Sequence, residues 1–382
     1  MIATANRSPL FQQETLRGSS ELDQCIFGLD ESERENTCYD LPLSEQQDLR
    51  RGFIRESVEH HLAACFQYRS FASRVAEQAN GELELDAVPF LPTTAFKRET
   101  PLSTDKAEIA KWCTSSGTRG KPSLVGRDRL TLERLLGSVR AGLRLIEHWY
   151  EHELYIINLG PDSVEAGNIW FTYVMSLVEL SYPTIHTVVN GKLDLAHCIR
   201  LVRHALEKWP QVGIVGPPFR VLELVRFMDA QNQQIRAGKQ LTVVTAGGWK
   251  RASGESVPRT EFESHVGETL GLDSRTQYRD AFNQAELNTV LFECAAHRKH
   301  VPPWVHARAR DPRTLNAVPY GEAGLLSFLD ASANSFPSFI VGDDVGVVDE
   351  GKCPCGREGL FIRIERRVEG RQARGCALVM DT

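Results

Sequence analysis

Hydrophobic and polar positions follow three rhythms along this chain. From Ser44 to Ala79 the spacing is helical, with Phe53, Val58, Leu62, Cys65 and Phe66 on one apolar stripe. Leu130 to Tyr150 keeps the same period and predicts a long amphipathic helix. Leu154-Tyr-Ile-Ile-Asn-Leu159 is a continuous apolar run, read as a buried strand that ends at Gly160-Pro161. The clearest signal lies in the middle of the chain. Val212-Gly-Ile-Val215 predicts a short strand, and Gly216-Pro-Pro218 ends it and opens a helix running to about Ala237. Leu241-Thr-Val-Val-Thr245 predicts the next strand. Strand, helix, strand is the unit of a parallel sheet. The turn Ala246-Gly-Gly-Trp249 then falls at the carboxyl end of that sheet, where α/β proteins bind ligands. Beyond about Pro302 the pattern shifts to short strands with turns, such as Gly324-Leu-Leu-Ser-Phe-Leu329 and Gly359-Leu-Phe-Ile-Arg-Ile364.

These rhythms divide the 382 residues into an N-terminal helical cap over 1–85, an α/β body over 86–300, and a β-rich region with a short tail over 301–382. The net charge of −6 argues against general nucleic-acid binding, which calls for a clustered basic surface. No apolar run approaches a membrane span, and the start of the chain lacks the regions of a signal peptide, so a cytoplasmic protein is expected. In that setting the nine cysteines are thiols or metal ligands rather than disulfides.

Candidate chemistry begins at Thr114-Ser-Ser-Gly-Thr-Arg-Gly-Lys-Pro122. Its glycines free the backbone so that successive N–H groups can face an anion, its hydroxyls add donors, and Lys121 adds a point charge. A Walker A loop does not fit. Ser115 stands where the first glycine belongs, and Pro122 replaces the magnesium-binding hydroxyl. Alone, the stretch reads equally well as a surface turn.

Its surroundings carry a resemblance. Val88-Pro-Phe-Leu-Pro-Thr-Thr-Ala-Phe-Lys97, the loop, Gly247-Gly-Trp-Lys250, Cys294 and His300-Val-Pro-Pro-Trp304 follow in order. Gly321-Glu-Ala-Gly-Leu-Leu326, Ser335-Phe-Pro337, Gly342-Asp-Asp-Val-Gly346, Cys353-Pro-Cys-Gly-Arg357, and Glu369-Gly-Arg371 to Gly375-Cys376 come after them. Together, from about Val88 to Leu378, they resemble the acyl-protein synthetases (LuxE-like) and the phenylacetate-CoA-ligase-like branch of the adenylating enzymes. The resemblance implies the N-terminal domain of an adenylating enzyme. Its parallel-sheet subdomains would be packed by helices, beside a smaller β-rich, barrel-like subdomain.

It also implies ATP, Mg2+ and a carboxylic acid joined as an acyl-adenylate. Thr114, Ser115, Ser116, Gly117, Thr118, Gly120 and Lys121 would hold phosphates, and Gly247 and Gly248 would let the backbone approach adenine. Asp280-Ala-Phe-Asn-Gln-Ala-Glu286 matches the family's adenine and magnesium motif, with Phe282 for stacking and Glu286 for magnesium. It departs from that motif where Asn283 replaces a glycine and Ala285 a threonine. Without the resemblance, Glu286 would be an ordinary solvated residue at a helix start. Asp344, one register from Asp343, matches the ribose aspartate, and Arg357 and Arg366 are weaker candidates for ribose or phosphate. The family's mobile C-terminal domain, with its lysine, is expected to be missing after Arg366. Lys121, Lys250 or Lys97 would then substitute, or the reaction would be slow, or the chain would work with a partner.

Cys294, His300, Cys353 and Cys355 are either one tetrahedral zinc site or four unrelated buried residues. Cys376 matches the acyl-carrying cysteine of the acyl-protein synthetases, or is a tail thiol without a role. The reading is an ATP-dependent activator of a fatty or aromatic acid (phenazine-type acids included) in a specialised pathway. It would hand its product to an acceptor or reductase protein. The alternatives are a binding protein without turnover, or an acyltransferase working through Cys376.

Overall fold

The structure, a computed structural model, describes residues 20–28, 37–76, 84–116, 121–146, 149, 153–248 and 257–367. Ser20 caps α1 (Glu21–Phe27): its hydroxyl accepts from the Asp23 N–H while the Asp23 carboxylate returns to the Ser20 backbone. The helix expected over 44–79 is two helices, α2 (Leu43–Ala64) and α3 (Phe66–Ala76). Cys65 between them adopts extended backbone, φ −101° and ψ 107°. The break rotates Phe66 off the apolar stripe, leaving it 68% exposed, while Phe53, Val58 and Cys65 stay buried.

The chain continues through β1 (Leu91–Pro92), α4 (Ala95–Arg98), β2 (Ile109–Thr114), β3 (Leu124–Asp128) and α5 (Arg129–Leu143). The helix expected to Tyr150 thus stops at Leu143. Next come β4 (Leu154–Asn158), α6 (Ser163–Ala166), α7 (Trp170–Ser176), β5 (Thr184–His186), β6 (Val188–Val189), β7 (Lys192–Leu193) and α8 (Leu195–Lys208). The predicted strand–helix–strand is β8 (Gln211–Gly216), α9 (Pro218–Ala230) and β9 (Leu241–Ala246), with Pro218 in the first helical turn and the helix ending at Ala230, short of the expected Ala237. The chain then forms α10 (Arg259–Leu270), β10 (Tyr278–Phe282), β11 (Leu291–Phe292), β12 (Lys299–Val301), β13 (Val305–Arg310), β14 (Ala323–Asp330), β15 (Phe339–Lys352) and β16 (Glu358–Arg367).

Two compact units result. Among the described residues one comprises 142–283 and 292–297, and the other 20–141, 284–291 and 298–367. The first carries a sheet of order β11-β10-β9-β8-β4-β5, with β4–β5, β4–β8, β8–β9 and β9–β10 parallel. Val212, Ile214, Leu241 and Val243 bury under Val202, Val221, Val225 and Val266 of the helices. The chain runs from β4 outward to β5 and then returns to β8 on the other side of β4. That reversal makes the carboxyl ends of β4 and β8 a topological switch point, the place where open α/β sheets bind ligands.

The second unit is built on a sheet of order β12-β16-β15-β14-β13, antiparallel throughout, with β1 parallel to β15 at its side. Parallel subdomains are thus reduced to one parallel sheet among the described residues. The strands expected to be short include β15, of 14 residues. Among the described residues, no helix is long and apolar enough to cross a membrane.

His61, in α2, is fully buried beside the edge of the Phe339 ring, with Nδ1 2.7 Å from the Ser103 hydroxyl. Burial, with His60 alongside, pushes its pKa down to about 3. An unfolded histidine titrates near 6.5, so between those values the unfolded chain binds the extra proton. Stability should therefore fall as pH drops below about 6.5, by up to about 1.4 kcal/mol per pH unit from this group. Thermal unfolding midpoints from pH 7.5 to 5 measure the slope. His61→Gln should flatten it, and an unchanged slope would assign the acid sensitivity to other groups.

Candidate active site

In the second unit, β2 and β3 form the hairpin that carries the predicted phosphate loop. The Ser115 N–H donates to the Ser123 carbonyl at 3.2 Å, and the Ser123 N–H donates to the Ser115 hydroxyl at 2.9 Å. Ser115 therefore closes the base of the loop as well as facing it. Ser116 follows, and Lys121 stands exposed on the return side. Gly117, Thr118 and Gly120 lie outside the described residues. Thr114 is the last residue of β2, opposite Leu124.

The same unit holds Glu286 in an irregular turn rather than at the helix start that was its alternative reading. It is 5% exposed, and its carbonyl accepts from the Ser338 hydroxyl at 2.8 Å. Further along, Asp344 sits in β15 opposite Arg367 of β16, and the Asp343 carboxylate is 3.7 Å from the Arg367 guanidinium. Arg366 is exposed. Arg357 is engaged by Asp40 at 2.9 Å.

In the first unit the carboxyl ends of the parallel strands carry the other predicted residues. Gly247 and Gly248 both take positive φ, +82° and +59°, a conformation that side chains resist. A Cβ on Gly247 would lie 2.4 Å from the Phe171 ring, so only glycine lets that aromatic of α7 approach the end of β9. Trp249 and Lys250 lie outside the described residues. The Thr245 hydroxyl of β9 donates to Oδ1 of Asp280 on β10 at 2.8 Å. The Asp280 N–H donates to Glu293, which a bidentate Arg259 grips at 2.7 Å through each nitrogen. Phe282 ends β10, half-buried.

Two features escaped the sequence reading. The side-chain carbonyl of Asn283, the residue in place of the motif glycine, accepts from the buried Trp170 indole N–H of α7. Asn283 itself was visible as a departure, but its partner, 113 residues away, carries no spacing signal. The second is Arg127 of β3, whose guanidinium donates to the Ala285 carbonyl at 2.7 Å and to Asn288 at 3.2 Å.

In the second unit His300, Cys353 and Cys355 come together: their ligand atoms lie within 4.8 Å of one another, and Cys355 Sγ is 3.4 Å from His300 Nε2. Cys294 belongs to the first unit. A tetrahedral zinc with Zn–S bonds of ~2.3 Å needs sulfurs about 3.8 Å apart, so the donor set and its spacing fit that ion. All but Cys355 are buried, and Tyr39 meets the His300 ring edge-on. The Cys353 N–H donates to the Arg357 carbonyl and the Gly356 N–H to the Cys353 carbonyl, which tightens the turn holding both thiols. Cys376 lies outside the described residues.

Residues 8–382 match the family described as acyl-protein synthetase, LuxE. Two relatives are each named long-chain-fatty-acid–luciferin-component ligase. The one from Vibrio harveyi is 41% identical over 372 residues, 97% of this chain and 95% of the relative. The one from Aliivibrio fischeri is 40% identical over 371 residues, 97% and 96% respectively. Among solved structures, an open conformation of 2-hydroxyisobutyryl-CoA ligase, in complex with 2-HIB-AMP and CoA, gives a TM-score of 0.67. It is 15% identical, over 87% of this chain and 78% of that one. At that identity the likeness speaks for the fold, which is that of the adenylating ligases.

Proposed function

This chain belongs to the LuxE acyl-protein synthetase family of acid-activating ligases, and from that premise we propose that it activates a long-chain fatty acid with ATP for transfer to an acceptor protein. The observation that carries this reading is 41% identity, over nearly the whole of both chains, to a ligase named for that acid class. The chemistry follows from the poor electrophilicity of a carboxylate. A fatty carboxylate oxygen attacks the α-phosphorus of ATP, a new O–P bond forms, and the bond to the β-phosphate breaks to release pyrophosphate. The protein's part is to hold two anions in line and neutralise the developing charge.

The hydroxyls at 114–118 and the Lys121 ammonium are proposed to grip the departing phosphates. Gly247 and Gly248 would admit adenine, Phe282 would stack on it, and Asp344 would take the ribose hydroxyls. Asp280 is proposed to hold the end of β10 in place through its Thr245 bond. Magnesium suits Glu286, because this ion is commonly held by one or two carboxylates plus substrate phosphates, and Glu286 supplies a buried carboxylate. Zinc at Cys294, His300, Cys353 and Cys355 would be structural, since a closed set of four donors leaves no open position. Cys376 is proposed as the thiol that carries the acyl group onward.

The test is pyrophosphate release by the full chain over a panel of acids. Long-chain fatty acids should be turned over at least about 100-fold more efficiently than aromatic acids, phenazine carboxylate among them, or than two-carbon acids. No release with any acid, alongside tight AMP binding, would make this a binding protein instead.

A further inference from the structure

Arg127 is fully buried on β3, paired with Lys111 toward the end of the hairpin away from the phosphate loop. A guanidinium in such a place is costly unless its donors are satisfied, and a chain that needed only packing there would use an apolar side chain. Its fork is spent on the loop that carries Glu286. Nη2 donates to the Ala285 carbonyl at 2.7 Å and Nε to Asn288 Oδ1 at 3.2 Å. Its Cζ stands 5.1 Å from the centroid of the Phe336 ring. The Cys113 thiol of the neighbouring strand β2 also contacts it.

Asn288 is held in turn: its amide donates to the Thr131 carbonyl at 2.9 Å and to Ser332 at 3.1 Å, and its backbone N–H to Asp330 at 3.1 Å. With Ser338 on the Glu286 carbonyl, residues 285, 286 and 288 each have a fixed backbone or side-chain anchor. Ala285 lacks the hydroxyl of the threonine it replaces, yet its carbonyl is the one Arg127 grips most closely.

We propose that Arg127 is a positioning residue that locks the Glu286 loop to the phosphate-loop hairpin, so that both halves of the phosphate site are set before ATP arrives. The inference rests on the adenylation reading above. Pre-set geometry matters because groups that stabilise a developing charge act most strongly when they need not reorganise. Lysine would keep the charge but lose the planar fork that reaches two acceptors at once.

The test uses the full chain with Arg127→Lys and Asn288→Ala, the second removing the acceptor of Nε. Calorimetry measures MgATP binding in the absence of acid, and pyrophosphate release with hexadecanoate gives kcat and KM. For R127K, MgATP binding or kcat should fall about 10- to 100-fold, as losses of outer-shell partners do, while the KM for hexadecanoate stays within about twofold. N288A should move the same quantities in the same direction by less, at an unfolding midpoint close to the native one. A merely structural role would lower the folded fraction and leave the KM ratio and the binding constant of the folded molecules unchanged. Folded variants that bind MgATP and turn over within about threefold of the native chain would overturn the proposal. Should R127K not fold, N288A decides by the same criterion. A native chain that neither binds MgATP nor releases pyrophosphate would remove the underlying reading, whereas an active native chain with unaffected variants removes only the role of Arg127.

Discussion

Glu286→Gln is expected to slow pyrophosphate release about 100- to 1000-fold without changing the fold, the scale seen when one group facing transition-state charge is removed. The substitution keeps the shape and deletes one negative charge. The backbone around it does not depend on that charge, because Ser338 holds the 286 carbonyl and Arg127 the 285 carbonyl. Removing a buried carboxylate's desolvation cost should leave the unfolding midpoint level or slightly raised. A high magnesium concentration should recover part of the rate, since the lost group is proposed to hold that ion. A coupled pyrophosphate assay with a magnesium titration, beside circular dichroism, measures all three. A rate within about threefold of native would make Glu286 a structural residue.

Cys353→Ser is expected to emerge from purification without zinc and to unfold about 10 °C lower than the native chain, which should carry one zinc per chain. Structural zinc contributes folding free energy directly, about 10 kcal/mol or more in small metal-folded peptides. At about 2.1 cal/mol/K of unfolding entropy per residue, a loss of about 8 kcal/mol of that free energy moves the midpoint of a chain of this size by roughly 10 °C. Cys353 is the informative member, because it is 1% exposed and a serine there leaves three donors around an incomplete tetrahedron. Elemental analysis after chelator-free purification gives the ratio, and calorimetry gives the midpoint. A native chain with a zinc ratio near zero would reject the site, and C353S with native stability would reject its structural role.

Much of the fold was legible because local rules and tertiary context agree in the centre of the chain. The run Val212–Val215, the Pro218 helix start and Leu241–Thr245 needed no long-range information, and they became β8, α9 and β9. Legibility failed where a single residue decides. Nothing in the period over 44–79 foretells that Cys65 turns extended, and that one residue moves Phe66 from core to solvent. At the site, the ligand chemistry of Cys294, His300, Cys353 and Cys355 could be read as a candidate metal set, although its two halves are far apart in sequence. Arg127, Asp330 and the Trp170–Asn283 pair could not, because a buried arginine or tryptophan looks like any other until its partner is placed. Asp330 accepts from the N–H groups of Asn288, Thr289 and Ser332, a role set wholly by tertiary contact.

The turn that carries Cys353 and Cys355 has a consequence for folding fidelity. It joins β15 to β16, and the pairing it starts runs from Lys352↔Glu358 to Asp344↔Arg367, with a bulge near Val345. Asp343 and Asp344 are adjacent, so a slip of one residue in this hairpin would exchange the faces they present. Bonds across Cys353, Gly356 and Arg357 fix where the count begins, and buried Cys353 cannot shift without leaving its pocket. The thiol-bearing turn therefore acts as a proofreading mark for the strand pair, deciding at one end of the hairpin which aspartate is offered at the other.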